Sequence, residues 1–325
     1  VTRLRRAAGT EQRRDDASLR LRAAWLYFSH GLTQKDISDR LGVSRGTVIR
    51  MLAEARERGE VQIWIGEGDS ECVDLALRLE DAFGLDEAIV TPGIDDDSAP
   101  KSVGSALGRF LSEVVSDGQT IGLGWGRTLM ASLGSLRAVR RQGVKVVSLV
   151  GGVVEARESS PLEYSWRVAS QFGAECYLFI APAFVDSPTT KKRLIEDCGL
   201  DALYRLGQSL DIAVVGVGGV GVGQQSQAAS MISTAERDEL LALGAVADVL
   251  CSFIDADGKT VPHSLNRRVM SIPLDDVAKA GHVVVAGGGA ARATAIRAAI
   301  RRVGCNTLVT DEGAARALLE GAGGE

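Results

Sequence analysis

Arg45, Thr47 and Arg50 place two guanidinium groups and a hydroxyl within two turns of one stretch, "SRGTVIRMLAEARERG". An arginine fork bonds N7 and O6 of guanine together, and threonine meets a thymine methyl or a phosphate. Gln34 and Ser44 stand at the starts of two successive helical segments, beside backbone N–H groups that suit phosphate oxygens. A second set of residues lies in the body of the chain. Gly124-Trp125-Gly126-Arg127-Thr128, Gly151-Gly152, the run "GVGGVG" around Gly218, and Gly287-Gly288-Gly289 ahead of Arg292 each follow an apolar segment. Glycine lets the backbone approach a ligand, and N–H groups at a helix start favour an anion. Thr128 adds a hydroxyl, and Arg127 and Arg292 add charge-assisted bonds that suit phosphate. Asp248, in the apolar "GAVADVL", is suited either to accept sugar hydroxyls or to cap a helix. The expected ligand is a small phosphorylated or carboxylated molecule; the other reading of these loops is a set of tight turns.

Other chemistries find less support. The histidines are His30, His263 and His282. None is joined by paired carboxylates on the glycine loops, which weighs against acid–base catalysis. His282 opens an apolar segment and is expected to be a satisfied structural residue. "GVGGVG" fits G-x-G-x-x-G, but polar "VGQQSQAASMIS" follows and no acidic strand end comes about 20 residues on, so a dinucleotide is not expected. There is no G-x-x-x-x-G-K-[ST]. Asp255 and Asp257 in "DADGKT" read as a turn, and "IDDDS" reads as a solvated acidic loop rather than a metal site. Five scattered cysteines without a CxxC read as single thiols in a reduced cytoplasm. Neither cofactor nor metal is expected, and no apolar run approaches the ~18–20 residues that span a bilayer.

The elements that position these residues follow from periodicity. Leu19, Leu21, Ala24, Trp25 and Phe28 predict an amphipathic helix over Ala17–Phe28, ended by Gly31. Thr33, with Asp36 as reciprocal partner, predicts a capped helix from Gln34 to Leu41, stopped by Gly42. Ser44 caps a third, whose Val48, Met51, Leu52 and Ala55 make one apolar face. A short helix, a glycine turn and a helix opening on Ser-Arg is the helix-turn-helix pattern. After Gly59, Val61 to Ile65 reads as a short strand, and Gly66 and Gly68 as a linker. Residues 1–65 carry 13 Lys and Arg against 8 Asp and Glu, whereas the rest carries 24 against 34. A basic head on an acidic body suggests that the head meets the polyanion. In the body, near-continuous apolar strands ending at Leu123, Gly151, Val215 and Ala286 alternate with helices. That predicts a Rossmann-like, mostly parallel α/β sheet covered on both faces, with ligands beyond the carboxyl ends of its strands. The expected organisation is a basic flexible arm (1–16) that is not a signal peptide, a helix-turn-helix domain (17–65) and an effector and oligomerisation domain (66–325). Val73, Leu75, Ala76, Leu79 and Phe83 predict a helix that links the two and pairs between subunits.

Taken together, "GLTQKDISDRLGVSRGTVIRMLAEARERGEVQI", "VGSALGRFL", "IGLGWGRTL", "VVSLVGGV", "DIAVVGVGG", "GAVADVL", "FIDADGKTV" and "VVVAGGGAARATAIRAAI" resemble SorC/DeoR-type sugar-responsive transcriptional regulators, from about Leu19 to Leu319. The resemblance implies an effector domain similar to sugar-phosphate isomerases but used for binding. It also implies phosphorylated sugars as effectors, frequent homotetramers and control of sugar-catabolic operons. Gly124 to Thr128 then matches the family's phosphate cradle, and Asp248 an acidic position that contacts sugar hydroxyls. Gly46 stands where the family often has Pro, and Arg292 where it often has Lys.

The expected protein is therefore a cytoplasmic regulator. Its candidate DNA contacts are Gln34, Ser44, Arg45, Thr47 and Arg50. Its candidate effector contacts are Gly124, Trp125, Gly126, Arg127, Thr128, Gly151, Gly152, Gly218, Asp248 and Arg292. Its expected partners are double-stranded operator DNA, a phosphorylated sugar and further copies of itself, as dimer or tetramer, with no membrane. The alternative is a sugar-phosphate isomerase or deaminase fused to a DNA-binding head.

Overall fold

The computed structural model describes residues 8–28, 30–61, 70–93, 95–153, 160–221 and 228–322. The first seven residues of the expected arm, the expected strand beyond Val61 and the Gly66–Gly68 linker lie outside them. The chain divides into two compact units, Val1–Glu67 and Gly68–Glu325.

The first unit holds three helices: α1 (Ala8–Phe28), α2 (Gln34–Leu41) and α3 (Arg45–Glu57). Helix α1 begins inside the stretch expected to be a flexible arm. Glu11, Gln12, Arg13 and Arg14 are good helix formers, and no proline interrupts them. The buried face of α1 also differs from the periodicity reading. Ala23, Ala24 and Leu26 pack with Ile37, Val48, Leu52 and Ala55, while Leu21 and Trp25 are about half exposed, at 48 % and 58 %. Two adjacent alanines let α1 and α3 approach where an indole would hold them apart. Arg20 is buried instead, gripped in a fork by Glu60 (2.7 and 2.5 Å) and touching Glu54 at 3.5 Å. A cation tolerates such a place only when paired.

The second unit runs α4 (Ser70–Phe83), β1 (Glu87–Thr91), α5 (Ala99–Val114), β2 (Thr120–Leu123), α6 (Arg127–Ser132), β3 (Lys145–Ser148), α7 (Pro161–Phe172) and β4 (Glu175–Tyr177). It continues with α8 (Pro188–Glu196), α9 (Asp201–Gly207), β5 (Ile212–Gly216), β6 (Gly218–Gly219), α10 (Thr234–Ala242), β7 (Ala247–Val249) and β8 (Ser252–Ile254). Last come α11 (Ser264–Arg268), α12 (Leu274–Val277), β9 (His282–Ala286), α13 (Ala293–Val303), β10 (Thr307–Asp311) and α14 (Glu312–Ala322). Seven of the strands form one parallel sheet in the order β1-β10-β9-β5-β2-β3-β4.

Both sheet faces are covered, and the strand residues alternate between them. Val284 and Ala286 join Ile121, Leu123, Val146 and Val214 against the α5–α7 side. Val283 and Val285 join Val147, Ala213 and Val215 in the core that includes residues of α13 and α14. This double burial is why the strands read as unbroken apolar runs. From β2 the chain steps to β3 and β4 on one side, then returns to place β5 and β9 on the other. The order therefore reverses between β2 and β5, and a crevice opens beyond their carboxyl ends. A small antiparallel sheet, β6-β7-β8, closes one side of it. Gly218 and Gly219 are thus strand residues paired with Asp248 and Ala247, not the start of a phosphate-binding helix.

Candidate functional sites

In the head, local bonds set both helix starts. Thr33 Oγ1 accepts the Asp36 N–H at 3.2 Å, and the Asp36 carboxylate accepts the Thr33 N–H at 3.2 Å. The Thr33 hydroxyl and then its N–H hold the Asp36 carboxyl below its usual range. Gly42 ends α2 in the left-handed region, at φ 66°. Ser44 Oγ accepts the Thr47 N–H at 3.1 Å, and the two hydroxyls lie 2.8 Å apart, so both are engaged in the cap of α3. Arg45 is exposed, and its Nε donates to Gln34 Oε1 at 3.4 Å, joining the first residues of α2 and α3. Arg50 is exposed and makes no hydrogen bond or ion pair among the described residues.

In the body, the crevice between β2 and β5 opens as a narrow cleft at the carboxyl ends of the strands. Trp125 and Gly126 line it from the β2–α6 turn, Arg127 and Thr128 from the start of α6, and Gly218 from β6. Asp248 enters from β7, and Arg292 from the turn before α13. Gly126 sits at φ 148°, a conformation that favours glycine, and so turns the chain into α6. Thr128 is 8 % exposed, yet its hydroxyl hydrogen-bonds to nothing among the described residues. Arg127 is half-buried and likewise makes no hydrogen bond or ion pair among them. Arg292 donates to Gly288 O at 2.8 Å. Burial, and then the charge of Arg127, push the Arg292 guanidinium below its ordinary pKa, while Asp96, Asp311 and Asp97 oppose that shift. The cleft therefore holds two cations that repel each other. The carboxylate of Asp248, 8 % exposed on β7, stands in the same cleft.

Residues 69–320 match the family model described as "Putative sugar-binding domain", and residues 16–64 match "Homeodomain-like domain". The erythritol catabolism regulatory protein EryD of Brucella abortus is 32 % identical to this chain, over 94 % of it and 97 % of EryD. The transcriptional regulator LsrR of Klebsiella pneumoniae is 31 % identical over 92 % of this chain and 91 % of its own. The crystal structure of the full-length sorbitol operon regulator SorC from Klebsiella pneumoniae superposes with a TM-score of 0.71 at 26 % identity, over 94 % of this chain and 99 % of that one. The chain belongs to the SorC/DeoR-type family of transcriptional regulators. A SorC-type head and sugar-binding domain make it a DNA-binding regulator, and the enzyme alternative falls away.

Within this SorC-type body the sequence-predicted effector residues part company. Trp125, Gly126, Arg127, Thr128, Gly218, Asp248 and Arg292 meet at the cleft, whereas Gly124, Gly151 and Gly152 do not line it. A Cβ on Gly124 would stand 3.0 Å from Leu250 and 3.2 Å from Val214 O; one on Gly151 would stand 2.6 Å from Ala181 O. These glycines let backbones pack. The Gly152 N–H is bonded to Ala181 O at 2.7 Å. Asp248 lies on β7, paired with Gly218 of β6 and Phe253 of β8.

Sequence reasoning did not anticipate Leu250 and Cys251, which line the cleft from the β7–β8 turn. Both adopt positive φ, 52° and 61°, where glycine or asparagine would have signalled the turn. Burial first, and then Asp248, keep the Cys251 thiol well above its usual pKa. It also missed that "IDDDS" and the β9 loop meet. Ala290 N–H donates to Asp96 at 3.0 Å and Gly289 N–H to Asp311 at 2.9 Å, so internal carboxylates already occupy those two donors. Asp96 is thus bonded and not merely solvated. His282 lies 2.8 Å from Thr307 Oγ1, and His263 lies 2.9 Å from Glu239 and caps α11. The Asp255 carboxylate accepts the N–H groups of Asp257 and Lys259, which makes the expected turn. All five cysteines are free thiols.

Proposed function

We propose that this protein is a cytoplasmic, homo-oligomeric regulator of a sugar-catabolic operon whose operator affinity changes when a phosphorylated sugar occupies the cleft. One observation carries the reading: Arg127 and Thr128, adjacent in sequence, line the cleft with a guanidinium and a hydroxyl that have no partner among the described residues, beside a second guanidinium, Arg292. A phosphate dianion offsets the repulsion of two arginines and accepts their N–H groups and the Thr128 hydroxyl together. Asp248, buried in the same cleft, then accepts hydroxyls of the sugar. EryD and the sorbitol operon regulator carry polyols in their names, which fits a hydroxyl-rich effector. In the head, Arg45, Thr47 and Arg50 read operator bases from the major groove, while Gln34 and the start of α3, capped by Ser44, hold phosphates.

The test is a thermal-shift screen of the full chain against phosphorylated sugars, their unphosphorylated parents and inorganic phosphate. A ligand at 100 times its Kd stabilises by about 2.7 kcal/mol, a readable shift. The expected hit is a phosphosugar alone, and that same compound must change operator affinity, with operator changing its affinity by an equal factor. A hit with free sugars only would move the anion site out of this cleft.

A further inference from the structure

Ile49 stands in the middle of α3 with 48 % of its surface exposed, while Val48, Leu52 and Ala55 of the same helix are buried. A β-branched residue is a mediocre helix former, and an uncovered one gains nothing from burial. Four positions after Arg45, Ile49 shares its face about 6 Å further along the helix. Helical side chains lean toward the N-terminus, so Ile49 extends over the turn that holds Gly46. That turn is bare: a Cβ on Gly46 would meet only Ser44 Oγ, at 3.8 Å. Arg45 is drawn toward α2 by Gln34, and Arg50 is exposed on the neighbouring position. No acidic residue occurs between Arg45 and Ala53. Over its first two turns the exposed face of α3 is therefore cationic, acid-free and low, with the branched aliphatic side chain of Ile49 rising from it between two arginines.

Among the groups that base pairs present in the major groove, the thymine C5-methyl is the apolar one. We propose that Ile49 reads a thymine methyl, about two base pairs from the base that Arg45 contacts, so that the operator half-site requires a thymine there. Arg45 supplies polar recognition of one base, and Ile49 supplies shape and dehydration at another. The inference rests on α3 being the groove-reading helix.

The experiment starts from duplexes that the full-length protein itself enriches from a random pool. Each thymine of the enriched half-site is replaced by uracil, which removes the methyl and nothing else. One such replacement is expected to weaken the wild-type protein about 3- to 5-fold, the size of hiding one methyl from water. Ile49→Ala is expected to lose a similar factor on the thymine duplex and to bind the uracil duplex no worse than the thymine one. Ile49 is exposed and alanine is the better helix former, so folding is preserved. Equal wild-type binding to every uracil duplex would overturn the inference. So would an Ile49→Ala loss of the same size on thymine and uracil, which marks a methyl-independent role. If no sequence is enriched, or if Arg45→Ala leaves base preference unchanged, the reading of α3 as the groove helix fails first and takes this inference with it.

Discussion

Thr128 and Glu60 pose opposite problems at the scale of single residues. Thr128 is buried with a hydroxyl that has no partner among the described residues, and in the proposed function that hydroxyl meets the effector. Thr128→Val keeps the shape and removes the hydroxyl. Effector affinity is expected to fall about 10-fold, the worth of a hydrogen bond to a charged group, with DNA binding by the free protein unchanged. Isothermal titration with the screened effector measures the first and a gel-shift assay the second. Glu60 already has its partner. The Arg20 fork first, and its charge next, hold the Glu60 carboxyl below its ordinary value near 4.5. A depressed carboxyl stabilises the fold at pH above that ordinary value, and the contribution fades as pH falls through the lower folded value. Glu60→Gln is expected to loosen α1 against α3 by roughly 1.5–3 kcal/mol near neutral pH. The difference from wild type narrows below about pH 4.5. Hydrogen exchange of α1 and α3 amides across that range tests the sign, and a gap that widens in acid would contradict it.

Helices α5 and α6 meet at the scale of elements through Gly104. A Cβ there would stand 2.5 Å from Thr128 O and 2.6 Å from Ala131 Cβ. Gly→Ala in a helix interior ordinarily gains up to about 1 kcal/mol, but such a close approach costs about 1–3 kcal/mol, so overpacking wins. Gly104→Ala is expected to lower the melting temperature and to blunt the effector response more than its stability loss explains, because α6 carries Arg127 and Thr128. Melting curves with and without effector separate the two effects. Helix α4 raises a different question. Cys72, Leu75 and Leu79 face the body core, yet Val73 and Leu77, one turn apart, are each 56 % exposed. With α4 as a subunit contact, Val73→Glu with Leu77→Glu is expected to lower the oligomer mass in analytical ultracentrifugation while leaving the monomer folded. An unchanged mass would assign subunit pairing to another surface.

Charge is divided at the scale of the whole chain. The stretch before residue 66 is net basic and the remainder net acidic, so long-range attraction to DNA belongs to the head, and the phosphates repel the body. Operator affinity is expected to fall linearly on a log–log plot against salt, and Arg50→Ala to reduce the slope by about one counterion if Arg50 contacts a phosphate. An unchanged slope with altered base preference would make Arg50 a base reader. Effector binding to the body is expected to keep its affinity for DNA-free protein across that salt range better than operator binding does, since the cleft is partly buried and screened less.

Much of this architecture was legible in the chain because its signals are local. The caps Thr33 and Ser44, the turn at Gly42 and the alternation of apolar strand and helix act within a few residues, and a parallel sheet buried on both faces leaves short, valine-rich apolar runs flanked by glycine, which set them apart from buried helix. Arg127 and Thr128 were visible for the same reason, as neighbours of Gly126 at a strand end. Long-range packing decided the rest. The reversal of strand order between β2 and β5 brings Thr128, Asp248 and Arg292 to one cleft, although they are far apart in sequence. The same packing set Gly124 and Gly151 outside the cleft lining, with Leu250 and Val214 O, and Ala181 O, where a Cβ would go. It buried Arg20 beside Glu60 and exposed Trp25, while Ala23, Ala24 and Leu26 fill the core of the head. It also paired Asp96 with Ala290, 194 residues away. Periodicity reports which face of an element is apolar; which neighbour fills that face is set by shape and by distant partners.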